Sequence, residues 1–227
     1  MTHSVVDLTV RTAKPIVHRE AYQTLEPMVG AEAARDVVRE AWRRYEVLDH
    51  GLPLEPTFGA NIMVHLAALT IAFYRALVAN GQSPEDARAL VAEINWAVYE
   101  NLTSLPWALT ALGGAGTLGR VKRALDLFMV FPYAAPGYDM AYVDEGPGVV
   151  GFDVWRCPAA ELFEAHGLSA LCKEAFCDLD YPLADMWGVE LERTHTLSTG
   201  GPCCNFRFRD KPTELASKSR GTPEDKT

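Results

Sequence analysis

The chain has 227 residues, 48% of them apolar and 22% charged, enough to bury a sizeable core in one large domain or two small ones. Its net charge of -9 excludes a nucleic-acid backbone and an anionic membrane surface as natural partners, since both attract clustered Lys and Arg. The densest basic group, Arg120, Lys122 and Arg123, reads as a solvated helix face.

Residues 1–14 have little periodicity and no apolar run of signal-peptide length, and are expected to form a loose N-terminal arm. A helical region is predicted over 15–131. Val37, Val38, Ala41, Trp42, Tyr45 and Leu48 form one apolar stripe, and Gly51 to Pro56 breaks it as a loop. A second long helix follows from about Gly59 to Ala79. Its most apolar part, Ile62 to Tyr74, is too short to span a bilayer and reads as buried. Ser83-Pro84-Glu85-Asp86 starts a third helix, with a capping serine, a proline at the first helical position and two acids in the first turn. That helix is expected to end near Asn101, and a further one to run from Thr117 to Val130.

The pattern changes after Pro132. Glycines and prolines punctuate a linker up to Gly148, and an α+β region is predicted over 149–209. Val149 to Arg156 reads as a strand, Pro158 to His166 as a helix stopped by Gly167, and Ser169 to Phe176 as a short helix. Val189 to Leu197 and Cys203 to Arg209 alternate as the two strands of a hairpin. Residues 210–227 are polar and are expected to be a disordered tail. The fold class is therefore α+β: a helical N-terminal bundle packed with a small antiparallel β-sheet and short helices in the C-terminal third.

Five cysteines, at 157, 172, 177, 203 and 204, lie in that last third. An odd number in a chain without a leader points to reduced thiols and a cytoplasmic location. Burying both apolar faces of the hairpin pairs residue 195 with 204, 193 with 206 and 191 with 208. Directly opposed residues have Cβ atoms about 4.5–5.5 Å apart, so His195 and Cys204 are expected as neighbours on the buried face. An imidazole beside a thiol can take its proton and stabilise the thiolate, although a structural histidine beside an inert cysteine has the same pattern. Arg193 projects into the same space and requires an anion, either a ligand carboxylate or Asp178 or Asp180. Cys177-Asp178-Leu179-Asp180 sits at a helix-to-loop transition, where functional groups often lie. Asn61 and His65 share one helix face and either satisfy structural partners or line the pocket.

Two motifs are set aside. Gly114-Ala-Gly116-Thr-Leu-Gly119 satisfies the dinucleotide-binding pattern but follows a helical segment rather than a strand. Cys177, His195, Cys203 and Cys204 fit no standard zinc-ligand spacing, and adjacent strand cysteines face opposite ways. No metal or other cofactor is expected.

Arg156-Cys157-Pro158, Cys177-Asp178-Leu179-Asp180, Glu192-Arg193-Thr194-His195-Thr196-Leu197, Gly200-Gly201 and Cys204-Asn205-Phe206-Arg207-Phe208 together resemble the L-2-amino-thiazoline-4-carboxylic acid hydrolase family. The resemblance covers roughly 149–209. It implies a hydrolase that opens a cyclic C=N-containing substrate, with N-carbamoyl-cysteine the product of the named member. One departure is visible: Asn205 stands where the family pattern has an aspartate. On this reading Cys204 or Cys177 is the nucleophile, His195 a base, and Asp180 an acid for the leaving ring atom. Arg193 would hold a substrate carboxylate, and Thr196, Asn205, Asn61 and His65 are candidates for further substrate contact. The expected partner is a small-molecule substrate, and a homo-oligomer is compatible with the sequence. The alternatives are a non-catalytic small-molecule-binding or sensor domain using the same pocket, and a thiol redox or metal-binding protein.

Overall fold

A computed structural model describes residues 3–111 and 116–212. Helices α1 (His3–Val29), α2 (Ala31–Asp49), α3 (Phe58–Ala79), α4 (Pro84–Leu109) and α5 (Thr117–Val130) make up the first part. Strands β1 (Asp139–Val143) and β2 (Val149–Arg156) follow, then α6 (Pro158–Ala165), α7 (Ser169–Ala175), a 3₁₀ turn over Cys177–Leu179 and α8 (Asp180–Met186). β3 (Val189–Glu192), a second 3₁₀ turn over Leu197–Thr199 and β4 (Cys204–Asp210) complete the α+β fold.

α1 begins at His3, so most of the segment expected as a loose arm is the first part of a long helix. The stripe from Val37 to Leu48 lies on α2, which is separated from α1 at Gly30, whose φ of 85° only glycine adopts without strain. α4 starts where the Ser83 cap predicts, with Ser83 Oγ accepting from the Asp86 N–H at 3.1 Å. It then continues to Leu109, eight residues past the expected end. α3 is long and apolar enough to cross a bilayer by length and composition, but its burial among the other helices makes it the core of the bundle. The segment before the dinucleotide motif at Gly114–Gly119 is helical as far as Leu109, where that motif needs a strand; residues 112–115 and the tail beyond 212 lie outside the described residues.

The four strands form one antiparallel sheet in the order β1-β2-β4-β3. The linker read before Val149 contains β1, which pairs Tyr142 with Phe152. β4 is central: Phe206 opposes Phe152 and Cys204 opposes Val154, while Phe208 opposes Leu191 on the other side. Phe152 and Phe206 stack at 4.5 Å between centroids, an arrangement favoured by the ring quadrupoles. The face bearing Phe152, Val154, Leu191, Cys204 and Phe208 packs under α5 and α8, and Trp187 bridges Phe208 and Trp107.

Two hydrophobic cores result, one among α1–α4, α6 and α7 and the other between the sheet, α5 and α8. Cys157 and Phe176 pack against both. The seam between the cores is where the functional groups collect.

Candidate active site

The seam is built by chain segments that arrive from four directions. Asn95 of α4 donates to the carbonyl of Ala175 at 2.6 Å and to Thr70 Oγ1 of α3 at 3.1 Å. It thereby ties the end of α7 to the bundle just before Cys177. α4 also carries Tyr99. The segment after α5 delivers Tyr133 and Tyr138, and it approaches the start of α3 so closely that a Cβ on Gly59 would overlap the Pro132 backbone. Arg156, the residue before Cys157, forms an ion pair with the buried Glu55, with N–O distances of 3.0 and 3.2 Å.

Arg193 is the hub. Its side chain is 1% exposed, Nη1 donates to Asp180 Oδ2 at 2.8 Å and to the Cys177 carbonyl at 3.1 Å, and Nη2 donates to Asp178 Oδ1 at 3.0 Å. The rings of Tyr181 and Phe206 lie 5.0 and 5.2 Å from its guanidinium carbon. A desolvated cation held this way organises both carboxylates and the backbone of the 3₁₀ turn. Of the two anions foreseen for Arg193, the protein's own aspartates take it, so it does not present a free fork to a substrate carboxylate.

Cys172 and Cys177 lie 3.6 Å apart between sulfur atoms. Hydrogen bonding from the Cys172 thiol, aided by the Ser198 hydroxyl and the Arg193 charge, lowers the Cys177 pKa against the opposing effect of burial. Cys172 moves the other way: hydrogen bonding to Cys177 and then burial hold it as a thiol. Burial pushes Cys204 up to about 11, although its sulfur accepts from the Leu197 N–H at 3.2 Å. Burial likewise pushes Cys157 up to about 12. Of these four thiols, Cys177 is the one whose pKa is lowered.

Asp180 is pushed up to about 6 by burial, with Arg193 opposing the shift. Burial also raises the phenols of Tyr99 and Tyr133, which adjoin each other and feel the Asp180 charge. Yet Tyr99, Tyr133, Cys157, Cys177 and Asp180 all retain accessible surface, 27% of the side chain at Asp180. These groups are therefore surrounded by protein without being fully sealed from solvent. Two hollows, of about 430 and 460 Å³, lie away from the thiols, beside Gly30 and beside Tyr181 and Lys211.

His195 is not in this seam. β3 ends at Glu192, and the chain leaves the sheet before residue 195, so the expected pairing of 191 with 208 forms while the His195–Cys204 pair does not. Asn205 holds the departing chain: its Oδ1 accepts the N–H groups of Thr194 and His195, at 3.1 and 2.6 Å, and its own N–H donates to the His195 carbonyl at 3.3 Å. The His195 ring is exposed, with Nδ1 2.8 Å from Thr194 Oγ1.

Asn205 itself holds the backbone on the sheet face opposite Cys204. Thr196 is buried and bonds the hydroxyls of Ser198 and Thr199, shaping the turn that presents Ser198. Asn61 is buried and committed to the backbone of Glu55 and Thr57. His65 Nδ1 lies 2.6 Å from Tyr45 Oη and 3.3 Å from Asp49, bridging α3 to α2. Asn61 and His65 therefore take the structural role rather than the pocket-lining one. Sequence reasoning missed Tyr99, Tyr133, Cys172 and Ser198; only Cys172, five residues before Cys177 across a helix end, carried any local signal. Among the described residues no group of three or more His, Cys, Asp or Glu is arranged to hold a metal.

The fold and the seam define an α+β protein with thiols and carboxylates gathered between a helical bundle and an antiparallel sheet. A family model described as L-2-amino-thiazoline-4-carboxylic acid hydrolase matches residues 61–208, and the chain belongs to that family. The match starts at Asn61, so it takes in α3, α4 and α5 as well as the C-terminal third. No curated relative matches. Among solved structures the chain is similar to the Fe(II) unliganded H-NOX protein from K. algicida, at 9% identity and a TM-score of 0.41, over 88% of this chain and 97% of that one. A likeness that distant carries no functional argument.

Proposed function

We propose that the protein is a hydrolase that opens a small cyclic amidine-like substrate, with Cys177 as nucleophile and Asp180 as the proton-transferring carboxylate. Family membership supports the reaction class. The observation that carries the assignment of residues is the sharing of one guanidinium: Arg193 Nη1 donates to both the Cys177 carbonyl and Asp180. Nucleophile and carboxylate are thereby held in fixed relation, with Arg193 as a positioning residue.

In this reading the Cys177 thiolate adds to the ring carbon of the protonated substrate. The ring bond from that carbon to its heteroatom breaks, and the heteroatom leaves with the electron pair. Asp180 takes a proton from water as the water oxygen bonds to the same carbon. That proton passes to the expelled heteroatom, Cys177 departs as thiolate, and the product releases the proton the substrate brought. A reducing compartment such as the cytoplasm keeps the thiol available.

The test is turnover of 2-amino-2-thiazoline and of its 4-carboxylate by Cys177→Ser, Cys204→Ser and unmodified protein. Loss of turnover in Cys177→Ser alone is expected. Full turnover in Cys177→Ser sinks the covalent route, and ligand binding without turnover in the unmodified protein would establish the sensor reading instead.

A further inference from the structure

Two thiols of the seam stand in contact, and helical repetition does not put them there. Cys172 and Cys177 are five residues apart, a spacing that one continuous α-helix sets roughly 140° apart around its axis. The helix does not continue. At Phe176 the backbone leaves helical values, with φ -135° and ψ -57°, and the 3₁₀ turn that follows brings Cys177 to Cys172. Three hydrogen bonds fix this path. The Phe176 N–H donates to the Cys172 carbonyl at 3.2 Å, Asn95 to the Ala175 carbonyl at 2.6 Å, and Arg193 to the Cys177 carbonyl at 3.1 Å. The two sulfurs end 3.6 Å apart, the one sulfur–sulfur contact among the described residues. They need to approach by only about 1.5 Å to reach bonding distance.

The pair is asymmetric. Cys172 is 1% exposed and belongs to the core of the bundle, whereas Cys177 keeps accessible surface. Cys177 is also the thiol whose pKa is lowered, first of all by the hydrogen bond from its neighbour. A partly accessible thiol of that kind is where an oxidant reacts first, and a second thiol already in contact captures the product before it oxidises further.

We propose that Cys172 and Cys177 are an oxidative modification site, at which hydrogen peroxide closes an intramolecular disulfide that a dithiol reopens. The Cys177 thiolate attacks one peroxide oxygen, the O–O bond breaks and hydroxide leaves, so Cys177 becomes a sulfenic acid. The Cys172 sulfur then bonds to the Cys177 sulfur as the S–O bond breaks, and the departing hydroxide takes the Cys172 proton and leaves as water. Two electrons pass from the pair of sulfurs to the peroxide, and the dithiol returns them. The disulfide stands on the sulfur geometry alone. Its consequence rests on the hydrolase reading: the bond withdraws the nucleophile and turns the enzyme off until it is reduced.

Tryptic mapping of the peroxide-treated full chain, alkylated with N-ethylmaleimide in denaturant, tests this. Cleavage after Arg156, Lys173 and Arg193 separates the two cysteines, and Cys177 is the only cysteine in the peptide 174–193. A link from that peptide to 157–173 through Cys172 is expected, with alkylated thiols falling from five to three and dithiothreitol restoring all five. In Cys172→Ala the same treatment is expected to carry Cys177 to the sulfinic acid, which dithiothreitol does not reverse. A link from Cys177 to Cys157, Cys203 or Cys204 overturns the proposal. So does unmodified protein in which Cys172 is still alkylated, whatever the state of Cys177, and this readout holds even where the variant does not fold. Turnover of 2-amino-2-thiazoline and its 4-carboxylate separates the two readings. Turnover lost on oxidation and regained on reduction supports both, a disulfide that leaves turnover intact sinks Cys177 as nucleophile, and turnover without a disulfide sinks the modification site.

Discussion

The sulfur atoms of Cys172 and Cys177 lie 3.6 Å apart, one inside the last turn of α7 and the other opening the 3₁₀ turn beyond it. The Cys172 thiol is buried, while Cys177 is partly accessible. A buried S–H pointed at a neighbouring sulfur stabilises that neighbour as an anion. Cys172→Ala removes the donor, so the Cys177 pKa should rise. Alkylation of Cys177 by iodoacetamide at neutral pH should slow by about tenfold, the effect of one pKa unit on the thiolate fraction. Peptide mapping of the labelled protein reads the rate site by site, and an unchanged rate would remove Cys172 from any part in activation.

Asp180 titrates near 6 rather than 3.8 because burial disfavours its charged form. Its ionised form is the one that pairs with a cation and takes a proton from water. The rate constant kcat/KM should therefore climb as pH rises through about 6. In Asp180→Asn that acid limb should vanish along with most of the activity. The same shift has a stability sign. Below 3.8 both folded and unfolded chains carry the proton, and the fold gains nothing from this group. From there up through about 6 the unfolded chain ionises first, so the group's contribution turns unfavourable as pH rises.

Arg193 is the buried partner of two aspartates, and its replacement leaves Asp180 without its cation while Asp178 keeps Lys173. Arg193→Met should cost roughly 3–5 kcal/mol in denaturant unfolding, in the range for breaking a buried ion pair from one side. Arg193→Lys should recover only part of it, since a single ammonium cannot span Asp178, Asp180 and the Cys177 carbonyl in the planar geometry of a guanidinium.

His195 and Asn205 give the complementary prediction. His195→Gln should leave turnover within about twofold, because surface changes away from buried networks have small effects. Asn205→Asp keeps an oxygen for the Thr194 and His195 N–H groups and loses the 2.9 Å amide donation to Thr194 Oγ1. It should alter stability by about 1 kcal/mol or less. A large loss of activity in either variant would return this edge of the hairpin to the catalytic machinery.

Local patterning was legible wherever neighbours in the sequence decide the outcome. The 3.6-residue stripes of α2 and α3, the Ser83-Pro84 start of α4, the bounds of α5 and β2, and Gly167 after α6 were all readable from side-chain spacing and turn chemistry. So was the register that sets Leu191 against Phe208, because a slip of one residue would turn the apolar face outward. Family resemblance was also readable, in the spacing of Cys177, Asp180, Arg193 and Cys204 along the last third.

Where β3 stops was not legible, because side-chain hydrogen bonds from Asn205 take the Thr194 and His195 N–H groups there, and periodicity extrapolates through such a break. The membership of the seam was beyond the sequence as well. Tyr99, Tyr133 and Cys177 come from separate elements, and only the packing of the helical core on the sheet core brings them to one place. The sequence by itself determined which segments are helix or strand and which face of each is apolar, since those follow from steric and solvation preferences within a few residues. Tertiary structure alone decided that Arg193 would be neutralised by Asp178 and Asp180, and that Cys172 would lie against Cys177. Both depend on a low-dielectric junction that exists only once the two cores meet.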